Sequence, residues 1–331
     1  MLEKELLYGA PSVIREFLVY LETIKGKSPK TVEEYFIDLR TFFRFLKYHK
    51  GLASNVEFEA ITIDDVDLSM ASSVTLTDIY EYMFFLMHER KNNAATRSRK
   101  ISSLRSFYKY YCDKMGAIKE NPTRNLETPK KKRSLPKYLT LEESMEFLDS
   151  VSGPTASRDY CIMTLFLNCG LRLSELVGIN MSDISDKTLK VTGKGNKERT
   201  VYLNQACIAA IAAYLKDRPQ EGLKDADALF ISRLKTRISP KTVQWVVKKD
   251  LAAAGLSGKG YSTHKLRHTA ATLMYQHGGV DIRVLQEILG HENLNTTEIY
   301  THISNTQLEE ASAKSPLAKF KTKKPADDSK Q

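Results

Sequence analysis

Six residues of the C-terminal half, Arg172, Lys194, His264, Arg267, His291 and Tyr300, have the chemistry needed to break a phosphodiester bond with a side-chain nucleophile. Such a bond resists attack because the incoming nucleophile meets two non-bridging oxygens that share a negative charge. Attack without a metal needs fixed cations around the phosphate, a nucleophile, and an acid for the leaving oxygen. Arginine suits the first of these roles, because its planar fork donates two hydrogen bonds to phosphate and keeps its charge at every relevant pH. Arg172 and Arg267 are the candidates for it. Tyr300 can be the nucleophile, although a free phenol has a pKa near 10 and needs nearby cations or a base to ionise. Lys194, between Gly193 and Gly195, can reach the leaving 5′ oxygen as general acid. His264 and His291 can shuttle protons or donate to the same phosphate. No acidic cluster able to hold a divalent metal accompanies the set, so no metal and no other cofactor is expected.

Each residue alone is weak evidence. Tyr300 is one of 16 tyrosines, most of which must be core or surface residues. A glycine-flanked lysine is ordinarily turn chemistry. His264 and His268, four apart, hint at a metal pair on one helix face, but no glutamate follows His264 as a metalloprotease helix requires. A structural role is the better reading of His268.

The elements that must position these residues are legible in part. The apolar run Asp159 to Cys169 reads as a helix ending at Gly170, just before Arg172. Residues 188–203 place β-branched residues on both sides of a glycine-rich turn, the pattern of a β-hairpin with Lys194 at its tip. Thr140, with Glu143 three residues on, reads as a capped helix start. Further helices are expected from Gln205, Ser239 and His264. In the N-terminal part, Ser12 to Leu18 opens an amphipathic run, and Ser28-Pro29 is an N-cap followed by proline at the first helical position. Helical patterns return over 77–89 and 94–115, separated from the first pair by an acidic connection over 49–75. Pro129 and Pro136 bracket four consecutive cations, which predicts an extended basic linker.

Composition narrows the partner. The 331 residues carry a formal charge of +10, which favours a polyanion. Its distribution is uneven: residues 1–89 are net −6, residues 90–133 are net +11 and the remainder is net +5. The basic segment, with Ile101, Leu104 and Tyr108 on its other side, predicts a helix that packs on a core and meets phosphates through Arg97, Arg99, Lys100, Arg105 and Lys109. Lys131, Lys132 and Arg133 belong to a cationic run that reads either as a nuclear-localisation signal or, better, as a basic strap that would extend that path along a nucleic acid. No stretch approaches the length of an apolar membrane span, and the N-terminus does not read as a secretory signal. Cys112, Cys161, Cys169 and Cys207 lack zinc-site spacing. Reduced, buried thiols and a cytoplasmic address are expected.

The ordered strings Gly170-Leu171-Arg172-Leu173-Ser174-Glu175-Leu176, Gly193-Lys194-Gly195-Asn196-Lys197-Glu198-Arg199, His264-Lys265-Leu266-Arg267-His268-Thr269 and Leu289-Gly290-His291, followed by Thr297-Glu298-Ile299-Tyr300-Thr301-His302, resemble the tyrosine recombinase (phage integrase) family. Within it the chain is similar to the bacterial Xer type. Residues 94–108 are similar to the family's N-terminal DNA-binding helix, so the resemblance covers nearly the whole chain. It implies a mainly α fold of two domains. The first is a four-helix, SAM-like core-binding bundle over 1–128, joined by the linker 129–137 to an α+β catalytic domain over 138–315 with a small antiparallel sheet. A polar basic tail, 316–331, follows.

The resemblance further implies that Arg172, Lys194, His264, Arg267 and His291 form the catalytic pocket, with Tyr300 forming a 3′-phosphotyrosyl link. Glu175 takes an orienting role behind the first arginine. The implied activity is site-specific recombination through a Holliday junction, in chromosome-dimer resolution or mobile-element integration and excision. The implied assembly is a homotetramer, or a heterotetramer with a related recombinase, on two DNA duplexes. Residues 304–313 read as a short helix whose apolar face needs a groove, on a neighbouring protomer or, alternatively, on its own chain. Two rivals stand beside this reading: relaxation of single duplexes in the manner of a type IB topoisomerase, and sequence-specific DNA binding without catalysis.

Overall fold

Several helix starts in this chain are set by side-chain caps. The Thr31 amide donates to Ser28 Oγ at 3.3 Å with Pro29 at the first helical position, and Asn93 accepts from the Thr96 amide at 2.9 Å. Thr75 with Asp78, and Thr140 with Glu143, form reciprocal capping boxes. Each cap satisfies amides that a helix leaves unpaired at its first turn. The computed structural model describes residues 9–53, 56–128 and 137–290, and the chain divides into two units at Arg133 and Ser134.

The first unit holds helices α1 (Ser12–Thr23), α2 (Pro29–His49), α3 (Leu68–Ser72), α4 (Leu76–His88) and α5 (Ala94–Lys109), the last running into a π-helical turn, Tyr110–Lys114. Helix α3 is a short turn within the acidic connection, so four long helices build the bundle. Their apolar faces meet in an aromatic core in which Phe107 stands edge-on to Phe17 and Phe43, with ring centres 5.5 and 5.9 Å away. The acidic connection is not simply solvated. Its Glu59 pairs with Arg44 at 3.0 Å and Arg90 at 2.6 Å, and Asp65 pairs with Lys47 at 2.6 Å.

Helix α5 corrects one expectation. Lys100 is buried rather than phosphate-facing: its ammonium lies 3.0 Å from Asp38, whose carboxylate is buried on α2. Arg99 and Ser103 join the same carboxylate at 2.6 and 2.7 Å. A lysine taken out of water must be paired, and Asp38 supplies the pair. Arg99 keeps an exposed side, while Arg97 donates to the Asn92 carbonyl at 2.7 Å and Arg105 to Thr128 Oγ1 and the Leu126 carbonyl. Lys109 is exposed. Lys131, Lys132 and Arg133 lie outside the described residues. Asp38→Ala leaves Lys100 buried and unpaired, and the bundle is expected to lose about 3–5 kcal/mol. Calorimetry of the full chain should show an early separate transition for this variant; a wild-type profile would refute the role given to Asp38.

The second unit holds α6 (Leu141–Asp149), α7 (Ala156–Cys169), α8 (Leu173–Gly178), a sheet of β1 (Ile184–Ser185), β2 (Thr188–Thr192) and β3 (Glu198–Tyr202), then α9 (Gln205–Asp217), α10 (Pro240–Ala253), α11 (Thr263–Gln276) and α12 (Ile282–Leu289). Helix α7 is the axis, nearly all buried and packed against α9 and α11. The sheet is antiparallel in the order β1-β2-β3, with Leu189 opposite Val201 and Thr192 opposite Glu198. Leu189, Val191 and Val201 point into the core while their neighbours face out, the alternation of a half-buried sheet. Helices α11 and α12 share a small core of Ala271, Leu285 and Leu289. The Sγ atoms of Cys169 and Cys207 lie 3.7 Å apart as free thiols. Cys112, in the π-helical turn, is only half-buried.

Candidate active site

Three separate breaks in helical structure build the site. Helix α7 ends at Gly170 in a left-handed conformation, φ 59°, a region that glycine enters without steric penalty. A Cβ there would also come within 2.7 Å of Leu289 Cδ2, so the turn and helix α12 touch. Two residues on, Arg172 occupies the N-cap of α8, and its amide donates to Glu175 Oε2 at 2.7 Å. Helix α12 closes at Gly290, again left-handed at φ 62°. The described residues end there, so His291 and Tyr300 lie outside them.

The two arginines meet across this junction. Arg172 donates to Glu175 Oε1 at 2.7 Å and to the Gly290 carbonyl at 3.1 Å, with about a third of its side chain exposed. Arg267, on α11, is buried and donates to the carbonyls of Gly170 at 2.6 Å and Leu289 at 2.5 Å. It stands 3.8 Å from Glu175 Oε2. Burial pushes the Glu175 carboxyl pKa up, but the hydrogen bonds and charges of Arg199 and Arg172 outweigh it and hold the group below the usual carboxylate range. A single buried carboxylate thus organises several guanidinium groups, leaving an excess of positive charge beside an exposed edge. An anion such as a phosphate fits that excess.

Lys194 begins a short 3₁₀ turn, Lys194–Asn196, at the tip of the β2–β3 hairpin. The Gly193 amide donates to the Lys197 carbonyl at 2.7 Å and closes that turn. Arg199 escaped the sequence reading as a site residue. On β3, it donates to Glu175 Oε1 at 2.5 Å and Oε2 at 3.0 Å. Its place in the same string as Lys194 was the available signal, but β-strand alternation does not say which carboxylate an arginine will find.

His264 lies in the first turn of α11 with an exposed side, while His268 is half-buried one turn later; their rings meet edge to face at 4.6 Å. Partial burial lowers the His264 pKa, and the charges of Lys265, Arg267 and Arg172 lower it further. The neutral imidazole is therefore favoured near pH 7, and it is the form that accepts a proton. His268 is pushed down to about 4, first by burial and then by His264, Lys265 and Arg267. Its folded pKa lies below the 6.5 of an ordinary imidazole, so the unfolded chain takes up the proton first as pH falls. The stability it contributes is complete above about pH 6.5 and is lost as pH drops toward 4. His268→Gln should flatten the acid side of the melting-temperature profile over that window. Parallel profiles for variant and wild type would show that His268 is not the titrating group.

Among the described residues no cluster of three or more His, Cys, Asp or Glu side chains is placed to hold a metal ion, and no helix is long and apolar enough to cross a membrane.

Comparison with known proteins places this geometry in a family. The phage integrase family model matches residues 137–307, and the phage integrase N-terminal SAM-like domain matches residues 14–114. A tyrosine recombinase XerC of Caldanaerobacter subterraneus subsp. tengcongensis is 56% identical over 309 residues, 93% of this chain and 88% of that protein. A tyrosine recombinase XerC of Natranaerobius thermophilus is 36% identical, covering 89% of this chain and 96% of its own. Among solved structures, XerH site-specific recombinase bound to a palindromic difH substrate is similar in fold, with a TM-score of 0.65 at 23% identity over 93% of this chain and 95% of the other. A lambda integrase dimer bound to a COC′ core site gives 0.63 at 20% identity, covering 86% and 96%.

Proposed function

The chain belongs to the phage integrase family as a Xer-like tyrosine recombinase, and we propose that Arg172, Lys194, His264, Arg267 and His291 act on one DNA phosphate while Tyr300 attacks it. The observation that carries this assignment is the meeting of Arg172 and Arg267, 95 residues apart in the chain, around Glu175 and the carbonyls of Gly170, Leu289 and Gly290. Tyr300 Oη bonds to phosphorus, the bond from phosphorus to the 5′ oxygen breaks, and the strand is held as a 3′-phosphotyrosyl ester. The phenol proton passes to a neutral imidazole, and His264, whose pKa is lowered by burial and nearby cations, is the acceptor in this reading. The leaving 5′ oxygen takes a proton from Lys194. Arg172 and Arg267 balance the charge that builds on the non-bridging oxygens, where fixed donors act without reorganising. The ester conserves the energy of the broken bond, so a 5′ hydroxyl from a second duplex reverses the chemistry and exchanges strands without ATP.

The substrate is double-stranded DNA carrying a specific site, and the assembly is a tetramer on two duplexes, homomeric or shared with a related recombinase. The DNA-bound XerH and lambda integrase structures of like fold support a DNA partner. Chromosome-dimer resolution is the role that fits the XerC relatives, and it sets the protein in the cytoplasm. Arg97, Arg99, Arg105 and Lys109 of the first unit, with Lys131, Lys132 and Arg133, supply phosphate contacts; Lys100 supports them through Asp38.

The test uses the DNA site recovered by sequencing covalent protein–DNA complexes. A plasmid carrying two copies should recombine in EDTA without ATP. Relaxation of a single supercoiled plasmid with no two-site product would assign the chain to topoisomerase chemistry instead.

A further inference from the structure

The hairpin tip that bears Lys194 is formed by two five-residue strands and needs a fixed position if one lysine is to serve one leaving oxygen. Its fastening is visible at the strand ends. On β3, Arg199 grips both oxygens of Glu175, at 2.5 and 3.0 Å, and its Nε donates to the Ile288 carbonyl at 3.3 Å. On the β2 side, a Cβ placed at Gly193 would lie 3.4 Å from Glu175 Oε1 and 3.9 Å from Arg172 Nη1. The hairpin therefore rests on the carboxylate that also orients Arg172. The same Arg199 side chain passes under Gly290, where a Cβ would come within 3.0 Å of its Cδ. One guanidinium thus ties the hairpin, the carboxylate beneath Arg172 and the end of α12 together.

We propose that Arg199 is a positioning residue that holds the Lys194 turn in register with Arg172 at the scissile phosphate. This rests on the assignment of Lys194 as general acid. A planar fork suits such positioning because two parallel hydrogen bonds fix direction as well as distance. Lysine at 199 would keep the charge but not the fork. Without Arg199 the tip loses its tie to Glu175 and to the end of α12, and small misplacements of a reacting group are costly: an ångström lost far from the chemistry can reduce a rate about 100-fold.

The experiment compares cleavage of two nicked duplexes, one with the ordinary 5′ oxygen and one with a 5′-bridging sulfur, whose thiolate leaves without an acid. Full-length Arg199→Ala and Arg199→Lys are assayed beside Lys194→Ala, with DNA affinity and melting temperature recorded for each. Arg199→Ala should cleave the oxygen substrate about 100-fold more slowly and recover to near wild type on sulfur, as Lys194→Ala does. Arg199→Lys should fall between, and it serves should the alanine variant melt too early to assay. Folded Arg199 variants that remain slow on sulfur while Lys194→Ala recovers would overturn the proposal and make Arg199 a support of Arg172 alone. Failure of Lys194→Ala itself to recover would remove the acid from Lys194, and the inference with it.

Discussion

Tyr300→Phe should bind its DNA site with wild-type affinity and form no covalent adduct at all. Phenylalanine keeps the ring and removes the oxygen proposed to attack phosphorus, so the expected change is all or none rather than graded. A nicked duplex that lets the short strand diffuse away after cleavage traps the intermediate. Wild type should appear as a slow-migrating, protease-sensitive band that survives EDTA. A covalent band of normal intensity from the phenylalanine variant would mean that another residue is the nucleophile.

Arg172→Ala and Arg267→Ala should each slow cleavage by about 100- to 1,000-fold, the loss of about 3–4 kcal/mol seen when one preorganised donor to a developing anion is removed. DNA affinity should change far less, because binding is spread over many phosphate contacts. The two variants should differ in stability. Arg172 has an exposed side and its removal leaves Glu175 paired with Arg199. Arg267 is buried, and its loss leaves the carbonyls of Gly170 and Leu289 without that donor. Arg267→Ala is therefore expected to melt earlier, and its cleavage rate must be measured well below its transition. Equal cleavage by folded Arg172→Ala and wild type would remove that residue from the phosphate.

Local signals served the sequence reading well where the physics is local. Ser28-Pro29 and the Thr140–Glu143 capping box mark helix starts because a cap and its amide lie three residues apart. The hairpin around Lys194 follows from β-branched runs flanking glycines. Gly170 ends its helix in the left-handed conformation that glycine permits. The readings that fell short concern partners far away in the chain. Lys100 looks like a phosphate contact among its neighbours on α5, yet it is buried because Asp38, 62 residues earlier, lies beneath it. Arg199 looks like an ordinary strand cation until Glu175 is placed under it. Helix α12 has only eight residues, too short for periodicity to announce it against the glycines and polar residues on either side. Its stability comes from packing Leu285 and Leu289 against α11, as short helices require.

The covalent intermediate itself offers the most direct test. Wild-type protein trapped on a nicked duplex is digested with protease and nuclease, and the nucleotide-bearing peptide is sequenced by mass spectrometry. One modified peptide is expected, with a nucleotide 3′-phosphate joined to the oxygen of Tyr300 and a free 5′ hydroxyl on the departing strand. A link to any other residue, a 5′-phosphoryl link, or cleaved DNA with no peptide attached would be incompatible with attack by Tyr300.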